Sequence, residues 1–155
     1  MLRISRLADY GVVLGSRLAG AAPGELRSVR DLSTETGIPQ PTASKILKLL
    51  ARQGLVESVR GARGGYCLAR PAGEINVAEV IEAVEGPIGI TECGSDDDCE
   101  LAARCDVRGH WRRINQAIQE ALESISLSEM AGSPSPVLVA IGRRGPDGLV
   151  QQVES

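Results

Sequence analysis

Apolar residues recur at helical spacing in the first third of the chain and predict a group of amphipathic helices. In the first helix, predicted for Ile4 to Leu18, the core-facing positions are Ile4, Leu7, Gly11, Leu14 and Leu18. Ser28 is suited to cap a second, short helix, and Gly37 is suited to end it in a left-handed conformation. A short helix, a turn containing glycine and a further helix together predict a helix-turn-helix.

The next helix, which should begin near Pro39 or Pro41, has two different faces. Its apolar face is formed by Ala43, Ile46, Leu47 and Leu50. The rest of its surface offers cations and small polar groups, namely Gln40, Thr42, Ser44, Lys45, Lys48 and Arg52. Such a helix can be anchored in a core while it presents hydrogen-bonding groups to phosphates and major-groove base edges. Considered alone, a helix of this kind is more often an ordinary surface helix.

Two short alternating segments follow and predict a β-hairpin. LVESV (residues 55–59) and YCLAR (residues 66–70) are joined by RGARGG, which is rich in arginine and glycine. Glycines allow a backbone to approach DNA closely, and Arg60 or Arg63 could reach a phosphate or a narrow minor groove. A helix-turn-helix followed directly by a basic hairpin, or wing, predicts binding to double-stranded DNA.

The second half of the chain predicts two more helices. INVAEVIEAVEG carries an inner stripe of Val77, Val80, Ile81 and Val84, and the pattern breaks at Gly86-Pro87. A long helix is then predicted from about Val107 to Met130, with an apolar stripe made of Ile114, Ile118, Ala121, Leu122 and Ile125. The expected partner of this stripe is the same helix of a second copy, which makes a homodimer, and the alternative is the chain's own core.

Charge divides the chain in two. Residues 1–70 contain nine Arg and two Lys against five acidic residues, a net charge of +6, whereas the remainder carries −9. The basic half suits a polyanion such as DNA. The only aromatic residues are Tyr10, Tyr66 and Trp111, which disfavours single-strand binding by base stacking. Without a leader-like start or an apolar run of membrane-spanning length, the chain is expected to be cytoplasmic and to have no membrane partner.

Three cysteines, Cys93, Cys99 and Cys105, follow one another at equal intervals in an acidic stretch. The spacing lacks the C-x2-C of structural zinc sites and does not by itself name a metal. Three thiolates on one loop would repel one another unless a cation neutralised them, which an iron–sulfur cluster would do. Zinc with a fourth ligand, a redox-sensing thiol set and incidental cysteines are the alternatives. Cys67, in the wing, is expected to be a small buried residue.

Together these features resemble the Rrf-type winged-helix regulators, which include the IscR-like and NsrR-like proteins. The resemblance covers Met1 to about Met130 and is carried by MLRISRLADYGVVL, by the wing motif S-x-R-G-x-x-G-G-Y, and by the cysteine triplet with Trp111 after it. It implies a homodimeric transcription factor that holds a 2Fe-2S or 4Fe-4S cluster and changes its DNA affinity with the state of that cluster. The opening stretch is also similar to regulators of the SUF cluster-assembly operon.

The fourth cluster ligand is where this chain departs from the family pattern. IscR-like members carry a histidine three residues after the last cysteine, but this chain has Arg108 there and His110 two positions later. In NsrR-like members the ligand is an aspartate on the first helix of the other subunit, and Asp9 stands at the matching position. Asp9 is therefore ranked first and His110 second, and each could instead be an ordinary surface residue.

The sequence thus predicts a mainly α-helical protein with a small β-hairpin wing. Its expected divisions are a winged helix-turn-helix (1–85), a cysteine-rich cluster loop (86–106), a dimerisation helix (107–130) and a flexible tail (131–155). The expected function is cluster-sensing transcriptional repression, with SUF-type genes as targets. The alternatives are a nitric-oxide-responsive or redox-responsive repressor, a thiol or zinc sensor and, more remotely, an electron-transfer module. No motif indicates an enzyme.

Overall fold

A computed structural model of the chain describes residues 3–90 and 106–132. The elements within these residues are α1 (Arg6–Ala19), α2 (Val29–Thr36), α3 (Gln40–Arg52), β1 (Val56–Val59), β2 (Gly65–Leu68), a 3-10 turn (Ala72–Glu74), α4 (Val77–Glu85), α5 (Arg108–Glu123) and α6 (Leu127–Ala131). The predicted fold class, helical with one small hairpin, is confirmed. Most of the predicted cluster loop and nearly all of the predicted tail lie outside the described residues, so the domain division stays a prediction.

Helices α2 and α3 form the predicted helix-turn-helix. The side-chain oxygen of Ser28 accepts a hydrogen bond from the backbone N–H of Asp31, and Gly37 ends α2 with a φ of 73°. The hydroxyl of Ser33 donates to the carbonyl of Ile38 at 2.6 Å and fixes the turn. These local hydrogen bonds explain why both ends of α2 were predictable from the sequence.

The wing is an antiparallel hairpin in which Val56 lies opposite Leu68 and Glu57 lies opposite Cys67. Arg27 lies along the other edge of β2, where its backbone N–H and carbonyl both bond to the backbone of Tyr66 at 2.9 Å. The segment before α2 therefore lies beside β2 as a third extended segment, joined to it by one antiparallel bridge at Arg27. The Arg27–Tyr66 bridge thus connects the wing to the start of the helix-turn-helix.

Helix α1 lies at the centre of the fold and contacts α2, α3, α4, α6 and β2. Its N-cap is Ser5, whose hydroxyl oxygen accepts from the backbone N–H of Ala8 at 3.2 Å. The prediction that Ile4 belongs to the core-facing stripe is wrong, because Ile4 precedes this cap and its surface is 56% exposed. The buried face of the helix consists of Ala8, Gly11, Val12, Leu14, Gly15 and Leu18.

The predicted continuous helix from Val107 to Met130 is also wrong, because the chain breaks between α5 and α6. At the break, the backbone N–H of Val77 donates to the carbonyl of Ile125 at 2.9 Å, and that of Leu127 donates to the carbonyl of Ile75 at 2.8 Å. These bonds pair the break with the segment that enters α4. Backbone groups that would continue a helix are thus used to attach the start of α6 to the start of α4.

A capping box makes the new start of α6 favourable. The Ser126 hydroxyl accepts from the backbone N–H of Glu129, and the Glu129 carboxylate accepts from the backbone N–H of Ser126 at 2.8 Å. The hydrogen bonds from the Ser126 backbone and hydroxyl lower the pKa of the Glu129 carboxyl below its ordinary value. The break is therefore encoded locally as well as by the contact with α4.

Helix α6 inserts Leu127 into the main core, where only 1% of its surface is exposed. Its contact is Gly15 of α1, where an added Cβ would lie 3.1 Å from Cδ1 of Leu127. Leu127 is absent from the predicted stripe because the break changes which positions face inward. The stripe itself is divided, since Leu122 packs against the core while Ile114 and Ile125 stay exposed.

We expect Leu127→Ala to lower the free energy of unfolding by about 2–5 kcal/mol, because it would leave a cavity between α6 and α1. Urea denaturation at a fixed protein concentration measures this change. The control is Met130→Ala in the same helix, where 44% of the side chain is exposed and the expected change is within about 0.5 kcal/mol. Equal effects of the two substitutions would contradict the placement of Leu127 in the core.

Candidate nucleic-acid interface and cysteine segment

Helix α3 has the two faces that its sequence predicts. Its buried residues are Ala43, Ile46, Leu47 and Leu50, which join the core formed with α1 and α4. Gln40, Lys45, Lys48 and Arg52 are exposed, and Thr42 and Ser44 are half-buried. The buried face fixes the helix, so that its polar residues form an outward surface on a rigid element.

Five cations of α3 and the wing have no ion-pair partner among residues 3–90 and 106–132: Lys45, Lys48, Arg52, Arg60 and Arg63. Elsewhere, Arg27 pairs with Glu35, and Arg70 pairs with Glu79 at 2.6 Å. An unpaired surface cation can neutralise a phosphate without first giving up a protein partner. The unpaired cations of α3 and the wing therefore form a candidate surface for the DNA backbone.

Arg60 and Arg63 are exposed in the wing loop, whereas Gly64 and Gly65 are needed by the protein backbone itself. A Cβ added at Gly64 would collide with the carbonyl oxygen of Val59. A Cβ added at Gly65 would lie 2.7 Å from the carbonyl oxygen of Arg27. The pair of glycines thus lets the hairpin close and lets Arg27 approach β2, a role that sequence reasoning did not assign to them.

Arg27 was also missed as a candidate from the sequence. Its guanidinium pairs with Glu35 on α2, while its backbone bonds to Tyr66 in β2. One residue thus connects the wing to the first helix of the helix-turn-helix. Its partners are eight and 39 residues away in sequence, so no local pattern could have indicated the connection.

Cys67 lies on β2, is half-buried and forms no disulfide within the part of the chain that the structure describes. Partial burial raises the pKa of its thiol, and the carboxylate of Glu57 across the hairpin raises that pKa further. A raised pKa keeps the side chain as a neutral thiol at neutral pH and makes it a poor metal ligand or nucleophile. The geometry favours the packing role that the sequence suggests.

The two candidate fourth ligands lie in the first turns of different helices. Asp9 is exposed on α1 and His110 is exposed on α5. Neither side chain forms a hydrogen bond or ion pair with another described residue. Cys93, Cys99 and Cys105 lie outside the described residues, and within those residues no three His, Cys, Asp or Glu side chains are grouped as a metal site.

The outer face of α5 presents apolar side chains to solvent. Val107, Trp111 and Ile114 follow one another at a spacing of four and three residues on one side of the helix, Ile125 lies just beyond its C-terminal end, and each of the four is more than a third exposed. Leu122 faces the core from the neighbouring strip of the same helix. This exposed apolar face has the composition of a protein contact surface. Within the described residues, no helix is long and apolar enough to span a membrane.

Known proteins share both sequence and fold with this chain. A family model described as Rrf2, an iron-dependent transcriptional regulator, matches residues 4–133. The HTH-type transcriptional regulator IscR of Xenorhabdus nematophila is 38% identical over 127 residues, 79% of this chain and 77% of that protein. CymR, the global cysteine regulator of B. subtilis, aligns with a TM-score of 0.68 and 31% identity over 84% of this chain and 97% of that one. T. potens IscR aligns with a TM-score of 0.64 and 30% identity over 83% of this chain and 85% of that one.

We expect Gly65→Ala to weaken binding to duplex DNA without any change of charge, because its Cβ would push Arg27 away from β2 and displace the wing. Overpacking of this kind lowers the free energy of unfolding by about 1–3 kcal/mol. Fluorescence anisotropy with duplex DNA and urea denaturation measure the two effects. The control is Gly73→Ala, because an added Cβ there meets nothing within 4 Å. Unchanged DNA affinity in Gly65→Ala would contradict the role of the Arg27–Tyr66 bridge in positioning the wing.

Proposed function

Because the chain belongs to the Rrf2 family of DNA-binding transcriptional regulators, which are not enzymes, we propose that it is a homodimeric repressor whose operator affinity depends on an iron–sulfur cluster. Genes for SUF-type cluster assembly are the proposed targets. The observation that carries the proposal is the triplet Cys93, Cys99 and Cys105, which falls inside the matched residues 4–133. Cysteine thiolates are the usual ligands of iron–sulfur clusters.

DNA recognition is assigned to the surface formed by α3 and the wing. Gln40, Thr42 and Ser44, in the first turns of α3, are suited to base edges in the major groove, while Lys45, Lys48 and Arg52 are suited to phosphates. Arg60 and Arg63, at the wing, are suited to the backbone or the minor groove beside it. The absence of internal partners for these five cations, among the described residues, supports this assignment.

Dimerisation is assigned to the exposed apolar face of α5. Its centre includes Trp111, which is 37% exposed, and Ile114, which is 43% exposed. A two-fold axis at this face would present two copies of α3 to a palindromic operator. Because α5 packs against α4, which in turn contacts α3, its position in the dimer would set the separation of the two α3 helices.

The cluster is assigned to the three cysteine thiolates, with Asp9 of the partner subunit or His110 as the fourth ligand. When bound, the cluster would supply a group whose charge and integrity respond to oxidants, nitric oxide or iron supply. The exposure of Asp9 and His110, and their lack of partners among the described residues, leave both side chains available. A coupling of about 1–3 kcal/mol between the cluster and α3 would change operator affinity about 5- to 150-fold.

A second candidate replaces the cluster with the chemistry of the thiols themselves, as zinc ligands or as oxidisable groups. The likeness to CymR supports this alternative, because one of the similar solved structures is the oxidized form of CymR from Staphylococcus aureus. The raised pKa of Cys67 disfavours that residue as the reactive thiol, so the candidate also depends on the cysteine triplet. An electron-transfer module is more remote, because it leaves the unpaired cations of α3 and the wing without a role.

We expect Lys45→Ala and Arg63→Ala each to weaken DNA binding and to reduce the slope of log K against log salt by about 0.9, the value for one phosphate contact. Each variant should retain the metal content of the wild type. The control is Arg113→Ala, since Arg113 is exposed on the face of α5 opposite Trp111. A slope unchanged in both variants, or reduced equally in the control, would remove α3 and the wing from the interface.

Anaerobic purification with absorbance, iron and acid-labile sulfide analysis tests the cofactor. We expect brown protein, loss of the visible absorbance in Cys93→Ser, Cys99→Ser or Cys105→Ser, and retention of it in Cys67→Ser. The fourth ligand is identified by comparing Asp9→Ala with His110→Ala, since only the variant that lacks the ligand should lose the visible absorbance. Protein without iron or sulfide after anaerobic reconstitution, or equal operator affinity with and without the cluster, would contradict the proposal. Stoichiometric zinc would favour the second candidate.

A further inference from the structure

Asn115 stands out because it is the buried polar side chain of the described core. Only 7% of its surface is exposed, although it lies on α5, whose other residues are mostly exposed. Burial of an amide without partners is unfavourable, so such a side chain is expected to be fully hydrogen-bonded. Its partners therefore indicate why a polar residue occupies this position.

Both partners of the Asn115 amide are backbone groups of one short segment. Its Nδ2 donates to the carbonyl of Ile88 at 3.1 Å, and its Oδ1 accepts from the backbone N–H of Ile90 at 3.2 Å. No other hydrogen bond reaches these two backbone groups from the described residues. The side chain thus pairs with residues 88–90 as an adjacent strand would, through one donor and one acceptor.

The segment held in this way leads directly to the cysteines. Helix α4 ends at Glu85, Gly86 turns the chain with a φ of 90°, and Pro87 follows. Ile88 packs against the main core, and Ile90 precedes Cys93 by three residues. Asn115 itself lies next to Ile114 of the exposed apolar face. It therefore joins residues 88–90, which immediately precede the cysteine segment (residues 91–105), to the helix assigned to dimerisation.

We propose that Asn115 is a positioning residue that transmits the state of the cysteine segment to helix α5 by holding Ile88 and Ile90 in register. This inference rests on the proposed function. Apolar packing alone would let the segment slide, whereas a shift by one residue would break both hydrogen bonds to Asn115. The two hydrogen bonds of Asn115 are therefore made or lost together, as expected of a contact that distinguishes two conformational states.

The test compares Asn115→Ala with Gln116→Ala, an exposed neighbour whose side chain donates to Glu120 on the helix surface. In Asn115→Ala, which removes both hydrogen bonds, the hydrogen exchange of the Ile90 backbone N–H should accelerate about 5- to 150-fold, the range for loss of the two bonds together. The ratio of DNA affinities between iron-loaded and iron-free protein should fall towards one. Gln116→Ala should keep the wild-type exchange rate and ratio.

The controls separate the possible failures. Circular dichroism and thermal unfolding establish that each variant is folded; if Asn115→Ala is not, Asn115→Leu, which fills the same space and removes both hydrogen bonds, replaces it in the test. Loss of iron from a folded variant of wild-type thermal stability would support the inference. Wild-type iron content, exchange and affinity ratio in the variant would overturn it. If the wild-type protein itself shows equal DNA affinity with and without iron, the proposed function fails, and the Asn115 exchange result separately decides whether the attachment exists.

Discussion

The close approach of neighbouring elements to helix α1 is the constraint on which the rest of the fold depends. A Cβ added at Gly11 would lie 3.1 Å from Cγ2 of Val84, and one added at Gly15 would lie equally close to Leu127. Because protein interiors are close-packed, a larger residue at either position would push α4 or α6 outward. Since α1 also contacts α3 and β2, the same helix fixes the DNA-facing elements and the C-terminal helices.

The parts of the fold that were predictable are those whose causes are local in sequence. Helices α1, α2 and α4 combine a periodic apolar stripe with a nearby cap, α3 combines such a stripe with a proline in its first turn, and the wing combines alternation with a glycine-rich turn. The break after α5 also has a local signal, the Ser126-x-x-Glu129 capping box, but the apolar periodicity across it favoured one long helix. The backbone pairing of the break with the segment before α4 joins residues about 50 positions apart in the sequence. The spacing of apolar residues along the chain cannot indicate such a long-range contact.

The candidate site was predictable to a similar extent. The exposed cations of α3 and the wing follow from the apolar positions between them, because burial of one helix face exposes the other. The residues that hold these surfaces in place were not predictable. Arg27 is an ordinary basic residue and Asn115 an ordinary polar helix residue in the sequence, and their roles come from partners on distant elements.

The hydrogen bonds of Asn115 have a suitable magnitude for the proposed coupling. A net contribution of about 0.5–1.5 kcal/mol for each of the two bonds gives about 1–3 kcal/mol in total, which equals the usual range of coupling free energies between sites. The core contacts of α1 are larger, since one buried leucine is worth about 2–5 kcal/mol. Making or losing the Asn115 attachment could therefore shift α5 relative to residues 88–90 while α1, α3 and α6 stay packed. A regulator needs this separation of magnitudes, because a signal that broke the core would unfold the DNA-binding surface instead of moving it.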